Sequence, residues 1–305
     1  MALQINGTTV VDDSRRFYTS CCNFLANTNA SCSAGTDNVF IGYATGINNT
    51  TGFSNIFIGR CSGYRNGTGS YNVFIGQLTG NFSCGTACNN TFIGSSSGYC
   101  NLTGSRNTYL GQSAGQNNTV GSFNTAIGAS AGWQNQSNCN VFIGERAGNS
   151  NTTGCHNIYI GKCAGCSNIS GSNNIYIGYA TPGSTTASNQ TCIGNTDTVT
   201  TYTFGDFVSE GNVTAYSDES LKENIERIQN ALEKVRSLEG VTYNRNDYPD
   251  RPRHMGLIAQ CVEKVIPEVI GEADGKLTVA YGNLIALVVE AIKEIDERLE
   301  VLEGK

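Results

Sequence analysis

Between residues 36 and 195 the chain repeats one short pattern: Asn, a β-branched residue, an aromatic residue, Ile, a glycine, then a stretch holding a small residue and a second glycine four positions on. The first glycine of each unit falls at Gly42, Gly59, Gly76, Gly94, Gly111, Gly128, Gly144, Gly161, Gly178 and Gly194, with gaps of 16 to 18 residues. Units such as NVFIGYATG, NIFIGRCSG, NVFIGQLTG, NTFIGSSSG, NTYLGQSAG and NIYIGKCAG show the shared order. Self-similarity at a fixed short period predicts a solenoid, here of ten coils of about seventeen residues. Within a strand Val39 and Ile41 share one face and Phe40 takes the other. The pattern is therefore read with the β-branched pair lining the interior and the aromatic ring on an adjacent surface, and likewise from Val73 and Ile75 to Ile175 and Ile177. The two glycines permit positive φ at the corners. Asn38, Asn55, Asn72, Asn107 and Asn157 precede their strands, suit turns, and are placed to form a ladder with their copies above and below.

Past Gly211 the spacing becomes helical. Leu221, Ile225, Ile228, Leu232 and Val235 recur at intervals of 4, 3, 4 and 3 and predict a helix starting near residues 217 to 220. GVTY then reads as a strand, and GLIAQCVEKVIPEVI as a strand running into a short helix closed by Pro267. The last segment sets Tyr281, Ile285, Val288, Ile292, Ile295, Leu299 and Leu302 at unbroken 4, 3 spacing over three heptads. Isoleucine at both core positions, Ile292 and Ile295, favours three or four strands over two. For the early heptads the competing reading is a helix packed on its own domain.

A length of 305 residues suggests about two domains, and charge shows where they part. Seven acidic and seven basic residues precede Gly211, which leaves 18 acidic and 12 basic residues for the last 95 positions. A neutral shaft thus precedes an acidic tail. The net charge of -6 and the lack of a Lys/Arg stripe exclude nucleic acid as the main partner. No apolar run approaches the roughly 18 residues of a membrane helix, so no membrane insertion is expected. The start MALQINGTTVVDDSRRF lacks the apolar core of an export signal and predicts synthesis in the cytosol. The thirteen cysteines are then expected mostly as free thiols.

The apolar content of one coil is thin. Burying its Ile and Val at roughly 1.5 to 3 kcal/mol each barely offsets the ordering of some seventeen residues at about 1 to 2 kcal/mol apiece. Three chains along one axis would remove the deficit. Coils stacked at about 4.8 Å would make a shaft on the order of 50 Å long.

Candidate chemistry in the shaft is sparse. Cys163 and Cys166 form a C-x-x-C, and Cys84 and Cys88 a C-x-x-x-C, but only His156 and His254 exist to complete a zinc site. Small-residue filler is the preferred reading, and no metal or cofactor is expected. N-x-S/T triplets are abundant and read as a chance product of composition. Phosphate-binding loops, H-E-x-x-H and paired carboxylates are missing, and acids such as Asp37 and Glu145 lie far apart, which disfavours a glycosidase. Tyr43, Tyr64, Tyr99 and Trp133 fall in variable corners and are candidate carbohydrate contacts; the alternative is that the repeats are scaffold only.

The N-V-F-I-G and A-G repeats over residues 36 to 195 resemble the head repeats of trimeric autotransporter adhesins and repeats of phage tail fibres. That resemblance implies a trimeric parallel β-roll. SDESLKENIERIQNALEKVRSLEGVTY, HMGLIAQCVEKVIPEVI and VAYGNLIALVVEAIKEI resemble the intramolecular chaperone domain of phage endosialidases, with departures at Tyr243-Asn244-Arg245 and at Cys261. The resemblance implies a domain that trimerises, drives assembly of the preceding fibre and cuts itself off before the serine of S-D-x-x-x-K. Carried onto this chain, Ser217 is the nucleophile, Lys222 the base, and Tyr216–Ser217 the scissile bond, with Asp218 of the same motif completing the candidate site. A lysine serves as base where burial or nearby cations bring its pKa toward neutrality. Residues five apart on a regular helix lie roughly 140° apart, so Ser217 must precede the helix, with Asp218 or Ser220 as its cap. The competing reading makes Ser217 itself only an N-cap, with a capping box at Ser220 to Glu223.

The expected organisation is an attachment or capping segment at 1–35, a β-solenoid shaft at 36–195, a β linker at 196–216 and an α+β chaperone domain at 217–305 ending in a coiled-coil helix. The expected role is a structural viral tail-fibre protein in the virion, made in the host cytoplasm. It would be homotrimeric through Ile285, Val288, Ile292, Ile295, Leu299 and Leu302. The N-terminal LQINGTTVVDD, with an Asn-Gly hairpin turn, would dock onto a virion baseplate or another fibre protein, and a host-surface glycan or protein is a further candidate partner. Alternatives are a cell-surface trimeric adhesin with the same modules, or a fibre that keeps its chaperone domain. No external substrate is expected.

Overall fold

The ten repeat strands form one parallel sheet, and an eleventh precedes them. The computed structural model describes residues 3–5, 8–11, 23–26, 35–83, 85–181, 183, 185–198, 201, 208–246 and 252–304. Two short strands open the chain, β1 (Leu3–Ile5) and β2 (Thr8–Val11), paired antiparallel; the Asn6-Gly7 turn between them lies outside the described residues. The long sheet starts at β3 (Phe24–Ala26) within the 1–35 segment. It continues through β4 (Val39–Ile41), β5 (Ile56–Ile58), β6 (Val73–Ile75), β7 (Thr91–Ile93), β8 (Thr108–Leu110), β9 (Thr125–Ile127), β10 (Val141–Ile143), β11 (Ile158–Ile160), β12 (Ile175–Ile177) and β13 (Thr191–Ile193). Every strand pairs in register with its copy in the next coil, so like residues stack on like.

The side lining the interior is the opposite of the one expected. Phe40, Phe57, Phe74, Phe92, Phe142, Tyr159 and Tyr176 are fully buried, whereas Val39 and Ile41 and their copies are half-exposed or exposed on the outer face. The reason is width. A three-residue strand sends two side chains one way and one the other, and the returning chain passes so close that only a single flat ring fits. A Cβ on Gly46, whose φ is 59°, would stand 2.6 Å from the Phe40 ring. Phe40 and Phe57 therefore stack at 4.9 Å with their planes 6° apart, and the column continues through Phe74, Phe92 and Tyr109. Ala126 interrupts it. Above that gap Phe142 leans, its plane 34° from that of Tyr159. Small residues such as Ser62, Ala114, Ala131, Ala147 and Ala164 close the far wall.

The Asn ladder forms, and it is buried. The Asn55 N–H donates to Asn38 Oδ1 at 2.9 Å while Asn55 Nδ2 donates to the Gly69 carbonyl at 2.8 Å, and the copies from Asn72 to Asn174 repeat the arrangement. A second Asn column runs on the other side of the coil: Asn66 Nδ2 donates to Asn49 Oδ1 at 2.8 Å, Asn118 Nδ2 to Asn101 Oδ1 at 3.1 Å and Asn151 Nδ2 to Asn135 Oδ1 at 2.7 Å. Asn49, Asn66, Asn101, Asn151 and Asn168 of this column begin N-x-S/T triplets. Those triplets are thus not the chance product expected above but the trace of a buried ladder, each side chain supplying polar pairing that a narrow interior cannot get from water.

The tail, grouped as residues 207–305, is built differently. It holds α1 (Ala231–Arg236), β14 (Val241–Tyr243) paired antiparallel with β15 (His254–Gly256), α2 (Ala259–Glu263), the hairpin β16 (Ile270–Ala273) with β17 (Lys276–Val279), and α3 (Leu284–Glu303). Its core gathers Ala231, Leu232, Val262, Ile266, Val269, Leu287 and Ala291 from four different elements. The long helix expected from Leu221 to Val235 is not formed. One 3-10 turn at Glu219–Leu221 is followed by irregular chain, because Asn224 and Asn230 both take left-handed φ of 53°, and α1 begins only at Ala231. Leu221 and Ile225 stay exposed. The strand expected from Gly256 lies two residues earlier, at His254–Gly256, and α2 ends ahead of Pro267, which opens a 3-10 turn instead of closing the helix. Among the described residues no helix is long and apolar enough to cross a membrane.

Candidate functional site

Ser217 lies in extended chain just ahead of the 3-10 turn, and the turn bends Lys222 back onto it. Asp218, at φ -64° and ψ 138°, is the cap: its Oδ1 accepts the Ser220 N–H at 2.9 Å and also the Ser220 hydroxyl. The turn closes as Leu221 N–H donates to the Asp218 carbonyl and Lys222 N–H to that of Glu219. Lys222 is already extended, at φ -125° and ψ 141°, so its side chain is free to reach back. Its Nζ donates to Ser217 Oγ at 2.8 Å and to the Ser217 carbonyl at 3.1 Å. A regular helix would have held the two apart; a single tighter turn followed by extended chain brings them together.

Asp218 is turned toward Ser220 rather than toward the pair. The hydroxyl and then the amide of Ser220 hold its carboxyl below the usual carboxylate range. It acts here as the device that shapes the turn. The capping box expected from Ser220 to Glu223 is not what closes this turn, since the cap is Asp218. Tyr216, on the other side of the candidate bond, is 97% exposed, and Ser217 and Lys222 are exposed as well. A hydroxyl and an amine within hydrogen-bond reach, on an accessible length of chain, are the groups that nucleophilic chemistry of this kind requires.

Helix α3 carries the remaining candidates. Ile285, Val288, Ile292, Ile295, Leu299 and Leu302 are all exposed along one stripe, while Leu287 and Ala291 are buried against the rest of the tail. The helix thus packs on its own domain along one face and leaves its apolar heptad stripe uncovered. Gly304, at φ 71°, ends it.

The shaft candidates divide. Tyr43 is exposed, but Tyr64, Tyr99 and Trp133 are half-buried, and the Tyr99 ring packs edge-on against Phe82 at 5.0 Å. Cys84 lies outside the described residues. Its partner Cys88 stands in for serine: Ser70 N–H donates to Cys88 Sγ at 3.3 Å, as Cys88 N–H donates to Ser105 Oγ and Ser105 N–H to Ser122 Oγ, each at 3.0 Å. Burial pushes the Cys163 thiol above its ordinary pKa, which disfavours the thiolate a metal would need. Among the described residues no group of three or more His, Cys, Asp or Glu is arranged to hold a metal ion.

Comparison with known proteins bears on the tail first. Residues 217–271 fit the family model described as chaperone of endosialidase. The chain therefore carries a domain of that family behind a parallel β-solenoid. It is also similar to long tail fiber protein Gp37 of Enterobacteria phage K3, 37% identical over 106 residues, which is 32% of this chain and 8% of that protein. Similarity to long tail fiber protein Gp37 of Enterobacteria phage M1 is 38% over 112 residues, covering 32% of this chain and 45% of the relative. The chain thus spans less than half the length of the curated relatives it matches. No solved structure matches it.

Proposed function

We propose that three copies of this chain assemble into a structural fibre of a phage tail, and that the C-terminal domain registers the three chains and then cuts itself away between Tyr216 and Ser217. One observation carries the assembly: each half of the chain fills its own interior and still leaves a full-length apolar row uncovered. On the shaft that row is the last residue of each repeat strand, Ile or Leu from Ile41 to Ile193, half-exposed or exposed in a single chain. On α3 it is the heptad stripe from Ile285 to Leu302. Contiguous apolar rows of this length mark interaction surfaces, and a parallel fibre of identical chains covers both rows by one symmetry operation. The N-terminal strands β1 and β2 are the proposed point of attachment to the virion or to another fibre protein, and a host-surface glycan or protein is the proposed contact of the shaft.

The cleavage follows from the pair at the domain's start. Ser217 Oγ attacks the carbonyl carbon of Tyr216; Lys222, acting as the base, takes the hydroxyl proton and passes it to the Ser217 nitrogen. The C–N bond breaks and an ester to Ser217 Oγ forms. Water then hydrolyses the ester, leaving a carboxylate on Tyr216 and a free amine and hydroxyl on Ser217. Neutral lysine serves this role in a desolvated site, which ties the cut to completed assembly.

A denaturing gel with sedimentation tests both parts. Wild type should give fragments 1–216 and 217–305 from a trimeric particle, while Ser217→Ala and Lys222→Ala should stay whole and trimeric. An uncut wild-type trimer removes the protease and leaves the chaperone; a well-folded single chain at low concentration removes both.

A further inference from the structure

We infer that Glu294 is a positioning residue for this cleavage: from α3 it fastens the segment that leads to Ser217 and Lys222, so that the helix pairing the chains also sets the dyad. The inference rests on the self-cleavage reading above.

From Lys222 to Asn230 the chain has neither helix nor strand to hold it, and Asn224 and Asn230 turn it through left-handed φ. Its fastenings reach instead to a second face of α3. Glu294 Oε1 accepts the Ala231 N–H at 2.7 Å and Oε2 accepts the Leu232 N–H at 3.0 Å. Arg227 Nε meets Glu290 at 2.7 Å, and its terminal nitrogen stands 3.6 Å from Glu297.

The first amides of a helix lack intrahelical partners and favour an acceptor of negative charge. A residue just ahead of the helix normally supplies it. Here Asn230 holds that place at φ 53° and makes no side-chain cap, so the acceptor comes from 62 and 63 residues away. Using both carboxylate oxygens fixes the segment in two directions, a stronger constraint than an exposed ion pair supplies. Backbone donation to Glu294, first from Leu232 and then from Ala231, holds its carboxyl below the usual range, so it stays charged at neutral pH.

The two faces of α3 complete the argument. Leu287, Glu290, Ala291, Glu294 and Glu297 fall on one stripe, and Ile285, Val288, Ile292, Ile295, Leu299 and Leu302 on another, roughly 130° around the helix. One rigid element therefore presents its apolar stripe to partner chains and its acidic stripe to Arg227, Ala231 and Leu232. Arg227 is only five residues from Lys222. Any rotation or shift of α3 on assembly passes through these contacts to the chain bearing the base.

The test follows cleavage in a coupled transcription–translation reaction, with the trimeric fraction separated at each time. Glu294→Ala trimers should cut at least about tenfold more slowly than parental trimers, since displacing a reacting group by about 1 Å costs on the order of a hundredfold. Glu294→Gln, which keeps one acceptor oxygen, should fall between them. Mere destabilisation would lower the yield of trimers and leave the rate within trimers alone. If Glu294→Ala forms no trimers, Glu294→Gln decides: a reduced rate supports the inference and the parental rate overturns it. Hydrogen exchange on the uncut Ser217→Ala protein gives a second arm. The Ala231 and Leu232 amides should be protected there and lose protection when Glu294→Ala is added; unchanged protection overturns the fastening. Failure of the parental protein to cut removes the self-cleavage reading, and the exchange arm still judges the clamp by itself.

Discussion

Shaft and tail solve the same problem by opposite means. The shaft repeats one solution: a ring on the ring below, an asparagine on the asparagine below, all in register. Each coil is too thin to stand alone, and its interior exists only because a neighbour supplies the next layer. The tail repeats nothing. Its core is drawn from α1, α2, α3 and the turn after Pro267, and its polar links span 62 and 63 residues. Stacking is cheap to extend but needs a starting register, since every coil resembles its neighbours and a slip by one coil would cost little. A domain of unlike parts has one way to fit. On the proposed reading, that difference is why a repetitive shaft gains from a non-repetitive partner at its end.

The most drastic way to break this division of labour is to spoil the α3 stripe. Ile292→Asn combined with Ile295→Asn removes two seam positions that face outward in the single chain, so the tail should still fold. Sedimentation should show the particle mass falling by a factor of about three, from trimer to single chain. If the variant remains trimeric, the shaft registers itself and the tail is not the driver.

A smaller effect is expected inside the shaft. Phe74 is fully buried between Phe57 and Phe92, and Phe74→Ala should cost about 3 kcal/mol per chain, the lower end for a buried phenylalanine. The lower end is chosen because the chain already shows the relief at Ala126, where Phe142 tilts toward the missing ring. Denaturant unfolding followed by the fluorescence of Trp133, the only tryptophan, would measure it. A cost below about 0.5 kcal/mol, the range of an ordinary surface change, would mean that the ring column is not what holds the coils.

What the sequence revealed follows the same division. The glycine period set the coil length and the strand positions, and Asn38, Asn55 and Asn72 announced their ladder, because stacking forces like onto like. Alternation told that Phe40 opposes Val39 and Ile41 but not which side was inside; coil width decided that, through the close pass of Gly46. The second ladder was hidden because Asn66 and Asn101 sit in triplets common in any Asn/Ser/Thr-rich chain. In the tail the heptads of α3 were legible since one unbroken helix carries them. The stripe from Leu221 to Val235 has equally regular spacing and forms only its last turns as helix, because two left-handed asparagines, invisible to periodicity, cut it. The nearness of Ser217 to Lys222 came from family resemblance, and the requirement that Ser217 precede the helix from geometry; the cap by Glu294 had no local signal, its donors and acceptor lying far apart in the chain.

Acid should separate the two regions more gently. In the tail, Lys293 first and then Arg227 hold the Glu290 carboxyl below its ordinary pKa, and backbone amides do the same for Glu294. A carboxylate whose pKa is depressed in the folded state contributes stability that is complete above the unfolded value near 4.3 and is lost as pH falls through the folded one. In the shaft the ion pair between Lys162 and Glu145 is of another kind. Glu145 raises the pKa of Lys162, a contribution lost as pH rises through the folded lysine value, and because both side chains are half exposed, breaking the pair in acid costs the shaft little. Acidification of the uncut Ser217→Ala protein should therefore weaken helical ellipticity, which reports the tail, at a pH where Trp133 fluorescence still reports an intact shaft. Glu294→Gln should flatten the acid limb, since it removes one of the groups that titrate. If both signals fall together, the two regions are not separate in the way their chemistry implies, and the shaft depends on the tail after assembly as well as during it.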